Sequence, residues 1–465
     1  MRRHAAAAVF FALAVRAAGG DLDGEFARLA QKQGVANAGI DARPVQDGTP
    51  LGSQRADESF PLASVTKLFT ACAALETLGP DYELVTRLWV LRGAEGEAAL
   101  VAVGGGDPGI SGRDFGGNPC AVFERWAAAL REAGIRKITR IDLDETRFGP
   151  DRIGEAWPKD QLHEWYAAPA GALALNDDCV EVTVSPGKAA GDPAIVKMSP
   201  DTAHVKIDNR CGTTADKSQH SVVIWRKPGS STISVKGLFL SGAAPMTDSV
   251  TIDDPARFFG AVLLETLARN GLEVKEAPIT LRNEPFIPAF GDGQPLVHAT
   301  PLRDALRVML QRSQNFYAEQ ILRAAGPRGA TVKECILEAR KSLALVGIGA
   351  EELAWLDGSG LSKGNRASAA AVTKLLAGAS KRPWGAVFRE CLAAPGGDGT
   401  LSKRLPGLEG AVRAKTGTIA GVSNLAGYVE TKGGRAAFAV LCSQLKEGTP
   451  PATRLQDEIV RLLAK

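Results

Sequence analysis

Three short motifs supply the residue types that serine acyl transfer needs. A serine hydroxyl is a weak nucleophile until a neighbouring base takes its proton. A lysine can be that base only when it is neutral, so its pKa must fall by several units from about 10.4, through burial or a second cation. In chain order, the motifs are Ser-x-x-Lys at Ser64 and Lys67, Ser-x-Asn at Ser313 and Asn315, and Lys-Thr-Gly at Lys415–Gly417.

The Ser-x-x-Lys tetrad is common by chance, so its context decides which copy matters. It also occurs at 185–188, where the sequence indicates a turn, and at 443–446, where the serine ends a strand. Only Ser64 opens an amphipathic helical pattern. Residues three apart share a helix face, so the Lys67 amine can lie beside the Ser64 hydroxyl. The positive end of that helix also favours a developing oxyanion.

The second and third motifs each occur once in the chain and fit supporting roles. The Ser313 hydroxyl can relay a proton to the leaving amine, while Asn315 can orient Lys67 and hold a substrate amide. Lys415 is a second cation that can lower the pKa of Lys67. Ser-x-x-Lys, Ser-x-Asn and Lys-Thr-Gly in this order are similar to the signature set of serine penicillin-binding proteins and β-lactamases.

The third motif continues as Lys-Thr-Gly-Thr and suits an anionic substrate end. The side chains of Lys415, Thr416 and Thr418 can bind a terminal carboxylate, and Gly417 lies between them. Backbone N–H groups of Ser64 and Thr418 would form an oxyanion hole, an effect worth roughly 3–4 kcal/mol. We therefore expect the substrate to bind along this segment.

Two glycine motifs indicate other chemistries, and their contexts argue against both. Gly104–Gly109 matches Gly-x-Gly-x-x-Gly after a strand, but the sequence from Pro108 onward does not open a helix, as a dinucleotide site requires. Gly360–Gly364 matches Gly-x-Ser-x-Gly, but an α/β-hydrolase needs a histidine after the serine, and the last histidine is His298.

Hydrophobic patterning predicts an α+β fold in which one domain is split by a β-rich insertion. Strand-like runs dominate from about 84 to 285, helices dominate from 301, and a strand pair followed by a helix ends the chain. The predicted helical regions are 24–33, 64–79, 255–270, 301–325, 330–345, 367–378 and 452–463, and the Ser-x-Asn motif lies between two helical stretches of the fourth region. The main predicted strands are 84–91, 99–103, 179–184, 205–207, 222–225, 421–431 and 436–443.

Composition excludes several classes of partner. The 465 residues carry 55 Lys and Arg against 52 Asp and Glu, without a basic cluster interleaved with aromatics, so we expect no nucleic acid partner. Five scattered histidines and seven cysteines without Cys-x-x-Cys spacing argue against structural zinc, and we expect no metal or cofactor. In an exported chain Cys179 and Cys211 could pair; the alternative is buried free thiols.

The N-terminus is typical of a secretory signal. Arg2 and Arg3 precede an apolar run at Ala5–Val15, and small residues at 17–20 offer a cleavage site. The run is shorter than the roughly 20 residues that span a bilayer, and no later segment is apolar enough to do so. We therefore predict a signal peptide at 1–19, export to the periplasm or another extracytoplasmic site, and no membrane anchor after cleavage.

The chain resembles the class C low-molecular-mass penicillin-binding proteins, the D-alanyl-D-alanine carboxypeptidase/endopeptidase group. The resemblance spans residues 61 to 431 and extends beyond the three motifs. The separation between Ser64 and Ser313 also fits, because that group carries a large insertion between its first two motifs. The matching stretches are PLASVTKLFTACAAL, VAVGGGDP, GALALNDDCVEVTVSPG, RSQNFYAEQILR, LAWLDGSGLSKGNRAS and AKTGTIAGVSNLAGYVET.

The resemblance implies three domains. A β-lactamase/transpeptidase-like catalytic domain, an antiparallel sheet flanked by helices, would comprise 20–84 and 286–465. An inserted second domain would comprise 85–177 and 249–285, and a third domain, 178–248, would be nested in the second. In this family the DGSGLS stretch that starts at Asp357 is expected to shape the active site.

The resemblance also implies a substrate and an inhibitor class. The Ser64 acyl-enzyme would cleave D-Ala-D-Ala ends or D,D cross-links of peptidoglycan stem peptides and then be hydrolysed, and β-lactam antibiotics would acylate the same serine. Asp144 begins a stretch, DETRF, similar to one that the family places near the donor side chain, so Asp144 is a candidate for substrate recognition; the alternative is a solvated turn carboxylate.

Two other functions remain open from sequence alone. A catalytically silent relative could bind cell-wall peptides, although the intact Ser64, Lys67, Ser313, Asn315 and Lys415 argue against it. A β-lactamase would differ only in how fast the acyl-enzyme is hydrolysed.

Overall fold

The computed structural model describes residues 22–46, 49–289 and 292–465, which fall into two compact units. The first unit comprises the described residues up to Tyr82, Pro301–Pro327 and Val332–Lys465, and the second comprises Glu83–Thr300 and Arg328–Thr331. The predicted signal segment, 1–19, lies outside the described residues. No helix within the described ranges is both long and apolar enough to cross a membrane.

The described residues form ten α-helices. In chain order they are α1 (Leu22–Lys32), α2 (Thr66–Leu78), α3 (Ala121–Glu132), α4 (Pro255–Arg269), α5 (Leu302–Gln311), α6 (Asn315–Ala325), α7 (Val332–Val346), α8 (Ala369–Ser380), α9 (Gly385–Cys391) and α10 (Pro450–Leu463).

The strands are numbered in the same way. They are β1 (Ala38–Pro44), β2 (Gly52–Gln54), β3 (Ser59–Pro61), β4 (Glu83–Arg92), β5 (Glu97–Gly104), β6 (Lys137–Asp144), β7 (Cys179–Ser185), β8 (Ile195–Ser199), β9 (Lys206–Thr214), β10 (Ser221–Arg226), β11 (Thr232–Leu240), β12 (Met246–Thr251), β13 (Ile279–Leu281), β14 (Leu296–Pro301), β15 (Leu353–Ala354), β16 (Arg366–Ser368), β17 (Val412–Ile419), β18 (Val422–Thr431) and β19 (Gly434–Ser443).

The first unit is built on a five-stranded antiparallel sheet of order β17-β18-β19-β1-β2. The strand pair predicted at the end of the chain is therefore extended on one side by β1 and on the other by β17, which carries the Lys-Thr-Gly motif. Helix α8 packs on β1 and β19, while α10 packs on β18. One buried apolar cluster of this unit includes Phe26, Ile40, Leu425, Phe438 and Leu455. The antiparallel sheet with flanking helices confirms the predicted fold class.

Helix α2, which carries Lys67, is more deeply buried than its sequence predicted. Its apolar spacing indicated an amphipathic helix with one solvated face. In the structure every residue from Thr66 to Leu75 is buried, since α5, α6, α7 and α9 all pack against it. A helix surrounded by protein needs no polar face, so the small residues Ala71, Ala73 and Ala74 serve as contact surface.

The predicted helical region 301–325 forms two helices, α5 and α6, with the Ser-x-Asn motif at their boundary as predicted. Ser313 adopts a left-handed backbone conformation there, with φ of 61°, which was not predicted. Helix α3 in the insertion was missed, although Val122, Phe123, Trp126 and Leu130 form its buried face.

The second unit contains three sheets. Their orders are β13-β6-β5-β4-β14, β12-β7-β8 and β10-β11-β9. Helices α3 and α4 pack on each other through the rings of Phe123 and Phe259, whose centroids are 4.8 Å apart. This composition agrees with the predicted β-rich insertion. The division of the insertion into a second domain and a nested third domain at 178–248 stays a prediction.

The cysteines form no disulfide. All seven lie in described parts of the chain, and all are buried. Cys179 begins β7, whereas Cys211 lies on β9 in a different three-stranded sheet. The pairing considered from the sequence is therefore absent, because the two thiols belong to separate sheets.

Candidate active site

Ser64 lies in a tight turn at the start of α2. A 3-10 turn, Ala63–Val65, precedes the helix, and Ala63 has a φ of 47°. The Lys67 amine is 2.8 Å from the Ser64 hydroxyl oxygen. Ser64 is partly exposed while Lys67 is fully buried, so the hydroxyl can meet a substrate from outside while its base stays shielded from water.

Two residues of the large sheet fix this turn. The Asn424 side-chain amide on β18 donates to the carbonyls of Pro61 and Leu62, at 2.9 Å each. A Cβ atom on Gly417 would lie 2.7 Å from the Leu62 carbonyl oxygen and 3.2 Å from the Ser64 nitrogen, so only glycine lets β17 approach the turn this closely. Asn424 was not predicted from the sequence, where its only signal was a polar residue inside an apolar strand.

The Lys67 amine makes three hydrogen-bond contacts, which is the number of protons an ammonium can donate. Besides Ser64, it is 2.7 Å from the Asn315 side-chain oxygen and 2.8 Å from the Ser359 carbonyl oxygen. Asn315 opens α6, directly after the break at Ser313. The first and second motifs therefore meet at one buried amine.

The third motif meets the second at Ser313. The Lys415 amine is 2.8 Å from the Ser313 hydroxyl oxygen and donates to the Thr416 carbonyl at 2.7 Å. Lys415 is fully buried, whereas Ser313 and Thr416 are partly exposed and Thr418 is exposed. All three motifs are thus brought together within the first unit.

Burial controls the charge of both amines. It lowers the pKa of Lys67 to about 7, against the opposing effect of the carboxylates of Asp357 and Glu319, which favour the ammonium form. The pKa of Lys415 lies well below its ordinary value because of burial and the neighbouring Lys67. Near neutral pH a substantial fraction of Lys67 is therefore neutral and able to accept a proton.

The two carboxylates near Lys67 were not assigned a role from the sequence. Glu319 lies on α6, and Asp357 begins the DGSGLS stretch, for which only a general shaping of the site was expected. Both are buried. Within the described ranges, no group of three or more His, Cys, Asp or Glu residues is placed to hold a metal ion.

Asp144 belongs to the second unit, whereas the three motifs belong to the first. It ends β6 and is buried, with one carboxylate oxygen accepting from the Thr146 nitrogen at 2.9 Å and from the Thr146 hydroxyl at 2.7 Å. The other oxygen accepts from the Phe286 nitrogen at 2.7 Å. The carboxylate is therefore not a solvated turn group, and its role in substrate recognition stays a prediction.

Comparison with known proteins gives a consistent family. A model of the D-Ala-D-Ala carboxypeptidase 3 (S13) family matches residues 23–465. The chain is 34% identical over 442 residues to a D-alanyl-D-alanine carboxypeptidase of Actinomadura sp. (strain R39), covering 90% of this chain and 79% of that protein. It is 25% identical over 422 residues to the D-alanyl-D-alanine carboxypeptidase DacB of Haemophilus influenzae, covering 86% and 84%.

Solved structures share the fold. The crystal structure of penicillin binding protein 4 (dacB) from Haemophilus influenzae superposes with a TM-score of 0.81 at 23% identity, over 95% of this chain and 99% of that one. A predatory peptidoglycan endopeptidase from Bdellovibrio bacteriovorus superposes with a TM-score of 0.52 at 18% identity, over 92% of each chain.

Proposed function

Because the chain belongs to the D-Ala-D-Ala carboxypeptidase 3 (S13) family, and so is a serine-type DD-peptidase, we propose that Ser64 is its nucleophile and Lys67 its general base. The observation that carries this assignment is the buried amine of Lys67, 2.8 Å from the Ser64 hydroxyl oxygen. The predicted resemblance to the carboxypeptidase/endopeptidase group is confirmed at the level of the family.

Acylation then proceeds in two proton transfers. Neutral Lys67 takes the Ser64 proton as the serine oxygen bonds to the carbonyl carbon of the penultimate D-alanine. The oxyanion that forms is stabilised by the backbone N–H groups of Ser64 and Thr418. When the C–N bond breaks, the proton that Lys67 took from Ser64 passes through the Ser313 hydroxyl to the leaving amine of the terminal D-alanine, which leaves Lys67 neutral again. Water, deprotonated by Lys67, hydrolyses the ester and restores Ser64.

The buried cation Lys415 supports recognition of the substrate's terminal carboxylate. Its contacts are a hydroxyl and a carbonyl, and no carboxylate opposes the effects that lower its pKa. A substrate carboxylate at this position would supply the missing opposite charge. Thr416 and Thr418 add hydroxyl donors along the same strand, and Gly417 lets that strand approach Ser64.

The remaining assignments are proposals of the same kind. We propose that β-lactams acylate Ser64, in line with the β-lactam complex of the Haemophilus influenzae protein, and that peptidoglycan stem peptides are the substrate. Export through a signal at 1–19 gives the chain access to that polymer. Asp144, by holding the Phe286 backbone, would position the segment near the donor side chain.

The test is acylation by benzylpenicillin, followed by intact mass and peptide mapping. A persistent penicilloyl group on Ser64, absent from Ser64→Ala, is the expected result, together with release of D-alanine from a peptide ending in D-Ala-D-Ala. Rapid turnover of the adduct would instead indicate a β-lactamase. Folded wild-type protein without an adduct would favour a catalytically silent cell-wall-binding protein.

A further inference from the structure

The turn Asp357–Gly360 contacts the Lys67 amine through the Ser359 carbonyl, and it is held by two buried carboxylates. Asp357 is 1% exposed and Glu319 is 2% exposed. Neither has a role in the acyl transfer proposed above. Their hydrogen bonds lead, through two successive peptide groups, to the helix that carries Lys67.

The peptide group between Ser359 and Gly360 joins Asp357 to Lys67. Its N–H, on Gly360, donates to the Asp357 carboxylate at 2.7 Å, and its carbonyl, on Ser359, accepts from the Lys67 amine at 2.8 Å. A carboxylate on the N–H side polarises the peptide and strengthens its carbonyl as an acceptor. The negative charge of Asp357 is therefore felt at the Lys67 amine through one planar group.

The preceding peptide group, between Gly358 and Ser359, joins Glu319 to Thr70 on α2. The Ser359 N–H donates to one Glu319 oxygen at 2.9 Å, and the Gly358 carbonyl accepts from the Thr70 hydroxyl at 2.7 Å. Thr70 is one turn beyond Lys67 on α2. The two carboxylates thus bind the N–H groups of the turn, and α2 binds its carbonyl groups.

The turn has little room to shift. A Cβ atom on Gly358 would lie 2.6 Å from the Ala318 carbonyl oxygen, and one on Gly360, at a φ of 84°, would overlap the Ala63 carbonyl oxygen. The Asp357 carboxylate also accepts from the Asn365 side chain at 2.9 Å. The Ser359 carbonyl is therefore presented to Lys67 in one fixed position.

Four charged groups act on the Lys67 amine or on its carboxylates. Lys415 on β17 is a neighbouring amine whose own pKa is lowered by Lys67, while Glu319 on α6 and Asp357 in the turn favour the ammonium form of Lys67. Arg323, one turn beyond Glu319 on α6, lowers the pKa of Glu319, which burial and the neighbouring Asp357 together raise to about 7. Two cations and two carboxylates therefore affect the protonation of Lys67, either directly or through Glu319.

We propose that Glu319 and Asp357 are positioning residues of the acylation base, which hold the Ser359 carbonyl against Lys67 and supply the opposite charge for its protonated form. This rests on the proposed role of Lys67. Acylation requires the base to be neutral before the reaction and to hold a proton afterwards, so a base with no opposite charge nearby would be a weak acceptor. The carboxylates provide the charge that burial and Lys415 would otherwise leave uncompensated.

The test compares the pH dependence of benzylpenicillin acylation in wild type, Glu319→Gln, Asp357→Asn and the control Thr70→Val. Thr70→Val removes a hydrogen bond from the same turn without changing its charge. Acylation needs neutral Lys67, so the rate falls as pH decreases through its pKa. Loss of the Asp357 charge lowers that pKa, so the acid limb of Asp357→Asn should shift by about one unit to lower pH. Glu319→Gln should shift it less, because Glu319 itself takes up a proton near pH 7.

We therefore expect the ratio of each charge variant's acylation rate to the wild-type rate to depend on pH. On the plateau, both charge variants should react more slowly than wild type. Well below the limb, the ratio of the Asp357→Asn rate to the wild-type rate should be about tenfold higher than on the plateau, and the ratio for Glu319→Gln should rise less. Thr70→Val should be slowed by the same factor at every pH. If both charge variants behave like Thr70→Val, the carboxylates are structural only and the inference is wrong.

The design separates this inference from the proposed function. Absence of a wild-type adduct on Ser64 would reject the role of Lys67 and with it the inference. An unshifted limb in an acylating protein rejects only the inference. Thermal unfolding identifies a variant that does not fold; if that is Glu319→Gln, Asp357→Asn carries the same comparison.

Discussion

The buried lysines of the catalytic motifs and the buried Arg226 of the second unit have different partners. In the second unit, Arg226 is 4% exposed and binds the Asp253 carboxylate at 3.3 Å, the Thr251 carbonyl at 2.6 Å and the Ser230 carbonyl at 3.1 Å. In the first unit, Lys67 and Lys415 are fully buried and contact hydroxyl and amide oxygens, and within the described ranges no carboxylate contacts either amine directly.

The difference separates a charge that holds a structure from charges that can react. Arginine keeps its proton, and its fork of donors satisfies several carbonyl groups at once. A lysine amine whose contacts are neutral oxygens loses its proton more readily when buried, which makes it available as a base. Substitutions at Arg226 or its partner test the structural charge, and substitutions at Lys67 or Lys415 test the reactive amines.

Removal of the base should have the largest effect on acylation. Lys67→Ala should reduce the rate of benzylpenicillin acylation by about 10²–10⁴-fold, because Ser64 loses the group that takes its proton. The measurement is the second-order acylation rate by mass spectrometry, with circular dichroism to show that the fold is retained. An acylation rate equal to wild type would remove Lys67 from the mechanism.

Removal of the structural cation should act on stability instead. Arg226→Ala leaves the buried Thr251 carbonyl and the partly buried Ser230 carbonyl without this donor and should lower the free energy of unfolding by about 2–5 kcal/mol, at about 1–3 kcal/mol for each unsatisfied group. Acylation per folded molecule should stay at the wild-type rate. The measurements are urea unfolding and active-site titration with benzylpenicillin on the same sample. Loss of acylation at unchanged stability would contradict the comparison.

Lys415→Ala tests the cation that lacks a carboxylate partner. If a substrate carboxylate completes this site, the variant should lose about 100-fold in kcat/KM for a peptide ending in D-Ala-D-Ala. The same peptide with an amidated C-terminus should be a poor substrate of wild type and no worse for the variant. Equal losses for both peptides would show that Lys415 acts on the reacting groups and not on the carboxylate.

The pH dependence of wild type gives a smaller and directional effect. Lys67 has a pKa lowered to about 7 by burial, and its neutral form is the reactive one. The acylation rate should therefore be half-maximal near pH 7, reach a plateau above it and fall by up to tenfold for each unit below. Glu319 titrates near the same pH, which should broaden the transition. Rates constant down to pH 5 would contradict a titrating Lys67.

The reacting residues were predictable because their motifs are ordered and their types are chemically specific. Ser64, Lys67, Ser313, Asn315 and Lys415 were named from sequence, and the fold brings them into contact. The break at Ser313 was visible as a boundary between two helical patterns, although its left-handed conformation was not.

The supporting residues were not predictable in the same way. Asp357 lies 290 residues after Lys67 in the chain, and nothing in its local pattern states which carbonyl its turn will present. Glu319 occupies a position on α6 that is buried only because other helices surround it. Asn424 fixes a turn more than 350 residues earlier. Such contacts depend on the assembled fold, which hydrophobic periodicity does not describe.

The smallest effect should come from Asp253, the carboxylate partner of Arg226. Its side chain is 43% exposed, so solvent already screens the ion pair, and Arg226 keeps its bonds to the Thr251 and Ser230 carbonyls when the charge is removed. Asp253→Asn should therefore lower the free energy of unfolding by about 0.5–1 kcal/mol, measured by urea unfolding. A loss as large as that of Arg226→Ala would mean that the carboxylate, and not the carbonyl groups, secures this cation. Arg226 would then be held mainly by its charged partner, whereas Lys67 and Lys415 contact neutral oxygens. A carboxylate partner alone would then distinguish the fixed cation from the reactive ones.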